Sequence, residues 1–398
     1  MALADEILSL TQQVRSAREP IDDDTRAKAI KAARGLLEAL VPPPETVIQD
    51  VVLNPVVLMA LRLGVQIGVF RIIRDHQAGQ ATTQEIAEQS GASPVLLDQI
   101  LRLLAATGYV LETGVQTYGP SALTETMASP VIEGTTRACF DIGNFCTTYA
   151  PEYFRRNGNQ FPTSALDTPF QLAKNTQLSY FAWLDENASL AKDFQQWMTA
   201  KLEASPNWVD WFDVEGVILD GLRTVQPDDA DGNVLLVDVG GGDGHYVHAF
   251  NRKFPNVGGR RIVQDLPHVV SNIADVPEST ELMAYDFFEP QPVKGARAYY
   301  LHWILHDWDD KPARDILTNI AAAMEPGYSR LIINEQIVPD RGCDFATACL
   351  GIMMMVQVGA LERSEQQWRA LLTSVGFTDI SFHQPPGNGE GIIVVKKS

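Results

Sequence analysis

The sequence predicts an α/β protein in which a mostly parallel, doubly wound sheet follows a helical N-terminal region. Residues 234–239 form a nearly continuous apolar run, which is typical of a strand buried on both faces of a parallel sheet. A glycine-rich turn follows, and residues 245–254 then have helical potential. From residue 231 onward, strand-like and helix-like segments alternate, and this alternation favours a parallel sheet covered by helices.

Composition limits the classes of protein that the chain can belong to. Its 398 residues suffice for two domains, with 45% hydrophobic and 20% charged residues. The formal net charge of -19 argues against nucleic acid or an anionic membrane as a partner. No apolar run approaches the roughly 20 residues of a membrane span, and residues 1–18 lack a signal-peptide core. We therefore expect a cytoplasmic protein.

The cysteines indicate neither disulfides nor a metal. Four occur, at positions 139, 146, 343 and 349. Without a secretion signal they are expected to be reduced thiols. No Cys-x-x-Cys pair or His/Cys cluster has the spacing of a zinc site, so we expect no metal.

Residues 1–50 are predicted to form a helical arm. Segments 4–18 and 24–40 have helical character, with an N-cap for the second among residues 22–24 and a stop at the proline run 42–44. Such an arm could pack on a partner subunit. Disorder or packing within the chain is equally compatible with this pattern.

Residues 51–130 have the pattern of a winged helix. An apolar helical segment (55–73), a short capped helix (82–87), a helix after Pro94 (95–107) and a two-stranded wing around Gly114 follow in order. Such a domain could bind DNA, and the chain would then be a non-enzymatic regulator. The second helix of the motif offers Asp98 and Arg102 and no basic cluster, so dimerisation is the favoured role.

Residues 131–230 are predicted to be helical and are rich in aromatic residues. Aromatic residues at helical spacing commonly belong to a core, but their density before the sheet also suits a pocket for a flat, apolar molecule. Phe145 and Trp183 are candidates to line such a pocket.

The glycine turn carries the first functional signal of residues 231–398. Asp238 ends the apolar run, and Gly240, Gly241, Gly242 and Gly244 follow. Glycines permit positive φ angles and close approach of a ligand to the backbone. The Asp-x-Gly-x-Gly-x-Gly spacing differs from the dinucleotide fingerprint. A tight turn without a ligand is the alternative interpretation.

Polar residues stand at the ends of the other predicted strands, where ligands bind in such sheets. Asp265 and Asp286 end the second and third strands, and Asp286 precedes Phe287. These residues suit a ribose and an adenine. His306 follows the fourth strand and Glu335 lies on the fifth, while residues 378–383 and 391–396 are expected to form a closing antiparallel pair.

Six segments in order resemble the plant-type and fungal small-molecule O-methyltransferases, a caffeate O-methyltransferase-like family of class I S-adenosylmethionine (SAM) enzymes. They are VDVGGGDG at 237–244, DLPHV at 265–269, DF at 286–287, WILHDW at 303–308, NE at 334–335 and LERS at 361–364. The resemblance covers the chain from about residue 55 to its end. It implies a Rossmann-like SAM methyltransferase sheet and an N-terminal winged-helix domain that forms a homodimer.

The resemblance also implies roles for individual residues. His306 would be the general base, flanked by Glu335 and Glu362, while Asp307 would cap the following helix. The alternative is that His306 is a core or surface histidine without a catalytic role. Plant members carry lysine at the position of His302, so that cofactor contact departs from the family. The implied cofactor site is Asp238, Gly240, Gly241, Gly242, Asp265, Leu266, Asp286, Phe287 and His302. The candidate acceptor contacts are Phe145, Trp183, Met198, Met354 and Asp307.

The expected activity is SAM-dependent methylation of a hydroxyl on an aromatic or polycyclic secondary metabolite. An amine acceptor is an open alternative. Some fungal relatives in this family bind SAM and catalyse dehydrations or pericyclic rearrangements, so a non-methylating step is the second hypothesis. The complete set of His306, Glu335 and Glu362 favours methyl transfer, because a repurposed site need not keep a base.

Overall fold

The computed structural model describes residues 2–16, 21–204, 206–223, 233–273, 276, 280–385 and 389–397. The chain up to Pro55 belongs to one compact unit and the chain from Val56 onward to another. In the first unit, Asp22 caps α2 by accepting a hydrogen bond from the Thr25 N–H at 2.9 Å, as predicted. The helices of this unit are α1 (Ala2–Ser16), α2 (Asp23–Leu40) and α3 (Pro43–Ile48).

One continuous helical stretch departs from the expectation that no segment resembles a membrane span. A π-helical segment (Gln49–Leu53) joins α3 to α4 (Asn54–Ile67). The stretch Pro43–Ile67 is 25 residues long, with a mean hydropathy of 1.5 and 11% of its most apolar window buried. Our expectation counted only uninterrupted apolar runs, which polar residues at 49, 50 and 54 break. Core helices and signal sequences have similar composition, so this finding does not identify a membrane protein.

The predicted winged-helix pattern is present, with one helix divided. Gly68, at φ 83°, separates α4 from α5, where the sequence predicted one helix over 55–73. Thr82 and Glu85 form the expected capping box. The elements are α5 (Val69–Asp75), β1 (Ala81–Thr82), α6 (Thr83–Ser90), α7 (Pro94–Ala106), β2 (Val110–Gly114), β3 (Thr117–Pro120) and α8 (Ala122–Met127). The three strands are antiparallel, in the order β1-β3-β2.

Helices fill the segment before the large sheet. Arg137 on α9 forms a bidentate ion pair with Asp193 on α13, with N···O distances of 2.7 and 2.9 Å. This contact ties the helix that carries Asp193 to the helix that carries Arg137. The elements are α9 (Pro130–Ala138), α10 (Phe145–Arg156), α11 (Pro169–Lys174), α12 (Tyr180–Glu186), α13 (Ala188–Ala204) and α14 (Trp208–Trp211), with π-helical segments Cys139–Asn144 and Glu215–Leu219.

The large sheet has seven strands in the order β6-β5-β4-β7-β8-β10-β9. Pairs among β4 to β8 are parallel, whereas β10 is antiparallel to β8 and β9. This confirms the predicted mostly parallel sheet with an antiparallel C-terminal pair. The strands are β4 (Val234–Val239), β5 (Arg260–Asp265), β6 (Thr280–Ala284), β7 (Ala298–His302), β8 (Arg330–Glu335), β9 (Asp379–His383) and β10 (Gly391–Lys396).

The sheet is buried on both faces by helices and their apolar side chains. The strand order changes direction between β4 and β7, because the chain builds outward through β5 and β6 and then returns to the other side of β4. A crevice forms at the carboxyl ends of the strands at such a switch point. The covering helices are α15 (His245–Lys253), α16 (Pro267–Val270), α17 (Asp310–Ala323), α18 (Phe345–Val358) and α19 (Glu365–Ser374), with a 3₁₀ turn at Leu305–Asp307.

Candidate active site

A cavity of about 1220 Å³ lies at the carboxyl ends of β4 and β7. The glycine turn after β4, the residues after β7, and helices α13 and α18 all contribute to its wall. Ligand pockets for one small molecule occupy about 300–1,000 Å³. The cavity therefore has room for more than one small molecule.

The glycine turn is tied to the neighbouring strand β5. The N–H groups of Gly240 and Gly241 donate to the Gln264 carbonyl at 2.8 and 3.0 Å. Gly242 donates its N–H to Asp265 Oδ2 at 2.9 Å. A Cβ on Gly241 would lie 2.6 Å from Asp238 Cγ, so this position excludes any side chain. The turn thus brings backbone close to the Asp238 carboxyl group.

Asp238 is a buried acceptor without a partner. Its side chain lines the cavity, and Oδ2 has no hydrogen-bond partner among the described residues. Burial, reinforced by the charges of Asp265 and Asp243, raises the pKa of Asp238 to about 8. A cationic donor bound here would satisfy the orphaned oxygen and return the carboxyl group to its charged form. The site therefore fits the ammonium of an amino-acid tail.

The other predicted cofactor residues differ in whether they line the cavity. Leu266 lines the cavity, whereas Asp265, Asp286 and Phe287 are not among its wall residues. Asp265 also accepts the N–H of Leu266 at 2.7 Å, which leaves both oxygens engaged but not saturated. Asp286 is exposed and accepts the Phe288 N–H at 3.0 Å. A cofactor role for these residues stays a prediction.

His306 is brought together with two buried carboxyl groups, as predicted. Its Nδ1 lies 2.9 Å from Glu362 Oε1 and 4.0 Å from Glu335 Oε2. Glu335 Oε1 accepts the N–H groups of Ile304 and Leu305 at 2.9 and 2.8 Å, which fixes the backbone that carries the histidine. His306 itself lines the cavity.

These carboxyl groups change the proton affinity of the histidine. Burial lowers the pKa of His306, but the charges of Asp307, Glu335 and Glu362 outweigh it and raise the pKa to about 9. Burial also raises the pKa of Glu335 to about 7. The same three side chains have ligand atoms within 4.8 Å of one another, a spacing compatible with a metal ion. The hydrogen bond to His306 and the two backbone donors satisfy one oxygen of each glutamate, whereas Glu335 Oε2 and Glu362 Oε2 have no hydrogen-bond partner among the described residues.

The sequence suggested that Asp307 caps the next helix, but the structure shows a different cap. Asp309 is the N-cap of α17, because its side chain accepts the Lys311 N–H at 2.9 Å. Asp307 instead lines the cavity, with Oδ1 3.6 Å from His306 Nε2. The 3₁₀ turn ends at Asp307, two residues before the cap, and the Asp307 side chain lines the cavity. Burial raises the pKa of Asp307 to about 6.

His302 lies in the cavity wall and forms a polar contact with a residue that the sequence analysis missed. Its Nε2 is 3.0 Å from the Tyr246 hydroxyl, and Tyr246 also lines the cavity. Burial, together with the nearby charges of Lys201 and His306, holds the pKa of His302 well below its usual value. The His302 ring is therefore neutral, with one nitrogen that donates a hydrogen bond and one that accepts.

The candidate acceptor contacts divide into two groups. Met198, Met354 and Asp307 line the cavity, whereas Phe145 and Trp183 do not. Trp183 packs edge-on against Phe170, with centroids 5.5 Å apart, and Phe145 is 41% exposed. Aromatic residues of the first turn of α12 take their place in the wall, since the helix directs Tyr180 and Phe181 toward the cavity.

Sequence patterns did not identify several further wall residues. Lys201 on α13 and Trp303 after β7 are the most distinctive, because the lysine lies over the indole ring. A lysine on an otherwise mixed helix gives no sequence signal of its own. Its position became evident only when α13 packed across the carboxyl ends of the strands.

Comparison with known proteins identifies the family. A model of the O-methyltransferase domain matches residues 218–378, and a model of the O-methyltransferase dimerisation domain matches residues 50–130. The chain is 35% identical to the O-methyltransferase penC of Penicillium thymicola, over 94% of this chain and 92% of that protein. The chain belongs to the O-methyltransferase family. It therefore has the activity class and the cofactor, SAM, that its residues suggested.

Two further comparisons bear on the substrate. Demethylsterigmatocystin 6-O-methyltransferase of Aspergillus parasiticus is 34% identical, over 86% of this chain and 85% of that protein. Solved structures of LepI in complex with SAM and of a protein described as "A Pericyclic Reaction enzyme" are each 28% identical, cover 99% of this chain and 100% of theirs, and give TM-scores of 0.88 and 0.87. Relatives of this O-methyltransferase thus include enzymes of two reaction classes.

Proposed function

We propose that this O-methyltransferase methylates a hydroxyl of an aromatic or polycyclic secondary metabolite, with His306 as the general base. The observation that carries the proposal is the 2.9 Å contact between His306 Nδ1 and Glu362 Oε1 in a cavity shared with Asp238 and the glycine turn. When bound, SAM supplies an electrophilic methyl group on a sulfonium. The protein's task is to bring a nucleophilic oxygen in line with that group.

The base is needed because a neutral hydroxyl is a poor nucleophile. A phenol has a pKa of about 10, so few molecules are ionised near neutral pH. Histidine is suited to removing such a proton. Glu362 would accept from Nδ1, leave Nε2 free to take the hydroxyl proton, and stabilise the imidazolium that results. Glu335 adds negative charge and holds the backbone at Ile304 and Leu305.

An apolar, polycyclic acceptor suits the remaining wall. Met198, Met354, Tyr180 and Phe181 present flexible or flat apolar surfaces to the cavity. The similarity to demethylsterigmatocystin 6-O-methyltransferase supports an aromatic hydroxyl as the acceptor. The cofactor would lie against the glycine turn and Asp238, which leaves the side nearer α13 and α18 for the acceptor.

We also propose a homodimer as the working form. The match to a dimerisation domain over residues 50–130 supports it. Exposed apolar side chains on the helical stretch Pro43–Ile67, among them Val47, Ile48, Val51 and Val52, need a partner surface. A cytoplasmic location and the absence of nucleic-acid or membrane partners remain predictions.

A screen with methyl-labelled SAM tests the proposed function. The full-length protein is incubated with a panel of phenols, enols and amines, and both labelled product and S-adenosylhomocysteine are measured. We expect an O-methylated product and an equal amount of S-adenosylhomocysteine from at least one phenol or enol. Transfer to amines only would contradict the proposal.

The second candidate is a SAM-binding enzyme that catalyses a dehydration or pericyclic step. The structural similarity to the pericyclic enzyme, over 99% of this chain, favours it. The two candidates differ in their stoichiometry: a rearrangement would yield product without S-adenosylhomocysteine. The base set around His306 leads us to rank methyl transfer first.

A further inference from the structure

Lys201 is a cation in the cavity wall without an ionic partner. It lies on α13, is half-buried and lines the cavity. Its Nζ is 3.5 Å from the centroid of the Trp303 ring, which is a cation–π contact. In the described part of the chain, no carboxylate lies within ion-pair distance of this ammonium. A charge that is desolvated in this way normally has a partner.

Trp303 is held in an uncommon conformation where it meets Lys201. Its φ angle is 51°, in the left-handed region that non-glycine residues rarely adopt. Its indole N–H is buried and finds no acceptor among the described residues, so a hydrogen bond does not offset this cost. The conformation instead presents the ring face to Lys201. Strained residues of this kind cluster at ligand sites.

The carboxyl groups around His306 give a reason for a cation in this part of the cavity, because an anionic acceptor would otherwise face only negative charge. Glu335, Glu362 and Asp307 give this end of the cavity an excess of carboxyl groups, and they would repel an acceptor that carries negative charge. Burial is the larger effect and lowers the pKa of Lys201 overall, although the charges of Glu390, Glu362, Glu335 and Asp307 oppose it. The ammonium also acts to lower the pKa of Asp307, whose Oδ1 lies 3.6 Å from His306 Nε2, so Lys201 is within electrostatic reach of the histidine.

We propose that Lys201 binds the oxyanion of the acceptor and thereby selects acidic hydroxyls, namely phenols and enols, over neutral alcohols. The hydroxyl proton passes to His306 Nε2, and the oxygen that remains is held by the Lys201 ammonium until it is methylated. The inference rests on the proposed function, because it names the acceptor class of that same site. It assigns Lys201 as an acceptor-binding residue and leaves the cofactor to the glycine turn.

Binding of a chromophoric phenol tests this assignment without measuring methyl transfer. The full-length protein with S-adenosylhomocysteine is titrated with 4-nitrophenol at several pH values, and phenolate absorbance reports the ionised, bound probe. In the wild type, bound 4-nitrophenol should ionise at lower pH than the free probe. Lys201→Met should weaken phenolate binding about tenfold or more, whereas Lys201→Arg should retain most of it.

Lys192→Met is the matched control, because Lys192 is an exposed lysine on the same helix. It should bind the phenolate as the wild type does. Equal phenolate affinity in Lys201→Met and the wild type would overturn the proposal, as would failure of the wild type to bind the probe. 4-Nitrobenzoate, a carboxylate of similar shape, and S-adenosylhomocysteine are titrated into the same variants. If Lys201→Met loses only 4-nitrobenzoate binding, Lys201 binds a carboxylate substituent; if it loses S-adenosylhomocysteine binding, Lys201 belongs to the cofactor site. Either result contradicts the proposal.

Discussion

His306 is set to hold a proton more strongly than an ordinary histidine. Buried histidines usually lose their charge, because desolvation disfavours the imidazolium. Here three carboxyl groups reverse that effect and raise the pKa to about 9. The same environment that makes His306 a strong base keeps it protonated near neutral pH, so the pH at which the enzyme works depends on these carboxylates.

The pH profile should show this directly. His306 must be neutral to accept a proton, so kcat/KM for the acceptor should rise with pH through the histidine's raised pKa. Glu362→Gln keeps an acceptor for Nδ1 but removes a charge, so the pKa should fall by about one unit, roughly 1.4 kcal/mol. The rising limb should then move to lower pH, with a reduced plateau. Glu365→Gln, at a position paired with Arg369 outside the cavity, is the control. A pH profile of Glu362→Gln that is not shifted would contradict the proposed effect of Glu362 on His306.

Asp238 offers a second prediction at this scale. Asp238→Asn removes the charge that would face the cofactor's ammonium, and a charge-assisted hydrogen bond contributes about 1.5–3 kcal/mol. Isothermal titration calorimetry should show S-adenosylhomocysteine binding weakened by roughly tenfold or more. Asp379→Asn, an exposed carboxylate on β9, should bind normally. Equal affinities for both variants would remove Asp238 from the cofactor site.

The sequence identified residues whose position is fixed by a local motif. Asp238, His306 and Glu335 end or follow strands, and parallel strands bring their carboxyl ends to one edge of the sheet. Lys201 and Tyr246 could not be found in this way, because their contribution depends on how α13 and α15 pack. Asp307 was misassigned because the 3₁₀ turn delays the start of the helix, so that the aspartate two residues later, Asp309, is the cap.

At the scale of elements, the turn between β4 and α15 leaves no space for a side chain at Gly241. Its backbone is not in the positive-φ region, but a Cβ would lie 2.6 Å from Asp238 Cγ and 3.0 Å from Val263 Cγ1. Gly258 has ordinary φ and no atom within 4 Å of the same position. The two glycines therefore differ in packing and not in backbone strain.

This difference can be measured by denaturant unfolding. Gly241→Ala should lower the free energy of unfolding by about 1–3 kcal/mol, which is typical of overpacking a tight site. Gly258→Ala should change it by no more than about 1 kcal/mol and in the stabilising direction, because alanine restricts the unfolded chain. Equal destabilisation by both variants would show that the turn adapts, contrary to the close packing described above.

The aromatic helices show why elements are easier to predict than their faces. The described residues between 131 and 223 are largely helical, as predicted, and several of them line the cavity. Trp183 nevertheless packs against Phe170, while Phe181 lines the cavity. On a helix as short as α12, aromatic residues close in sequence lie on different faces. The spacing of apolar residues does not show which of these faces belongs to the core and which to the pocket.

At the scale of the molecule, the acidic chain is predicted to associate with a copy of itself. Multi-angle light scattering should give twice the chain mass of 43.8 kDa. Val51 is 70% exposed on the apolar stretch Pro43–Ile67, and Val51→Asp should shift the population toward monomer. Val115→Asp, at a wing residue that is 93% exposed, should leave the dimer intact. A monomeric wild type would contradict the proposed homodimer.

The overall fold could be predicted because its signals are repeated along the chain. Five of the seven strands, namely β4, β5, β7, β8 and β10, are buried along most of their length. Turns or helices separate the strands along the chain, and this pattern leaves few alternatives for the sheet. The helical stretch Pro43–Ile67 was not anticipated, since polar residues interrupt its apolar runs although the helix continues through them. The mean hydropathy of a continuous helix and the length of an uninterrupted apolar run are different quantities. The run length can be read from the sequence, whereas the extent of the continuous helix is seen only in the structure.

The most direct test of the central claim is single-turnover methyl transfer by His306→Ala, with S-adenosylhomocysteine binding measured on the same preparation. His383→Ala, at a histidine on β9, is the control for loss of a ring. We predict that His306→Ala loses at least about 100-fold in the rate of transfer while cofactor affinity stays within a few fold. Transfer to the true acceptor at the wild-type rate would contradict His306 as the base.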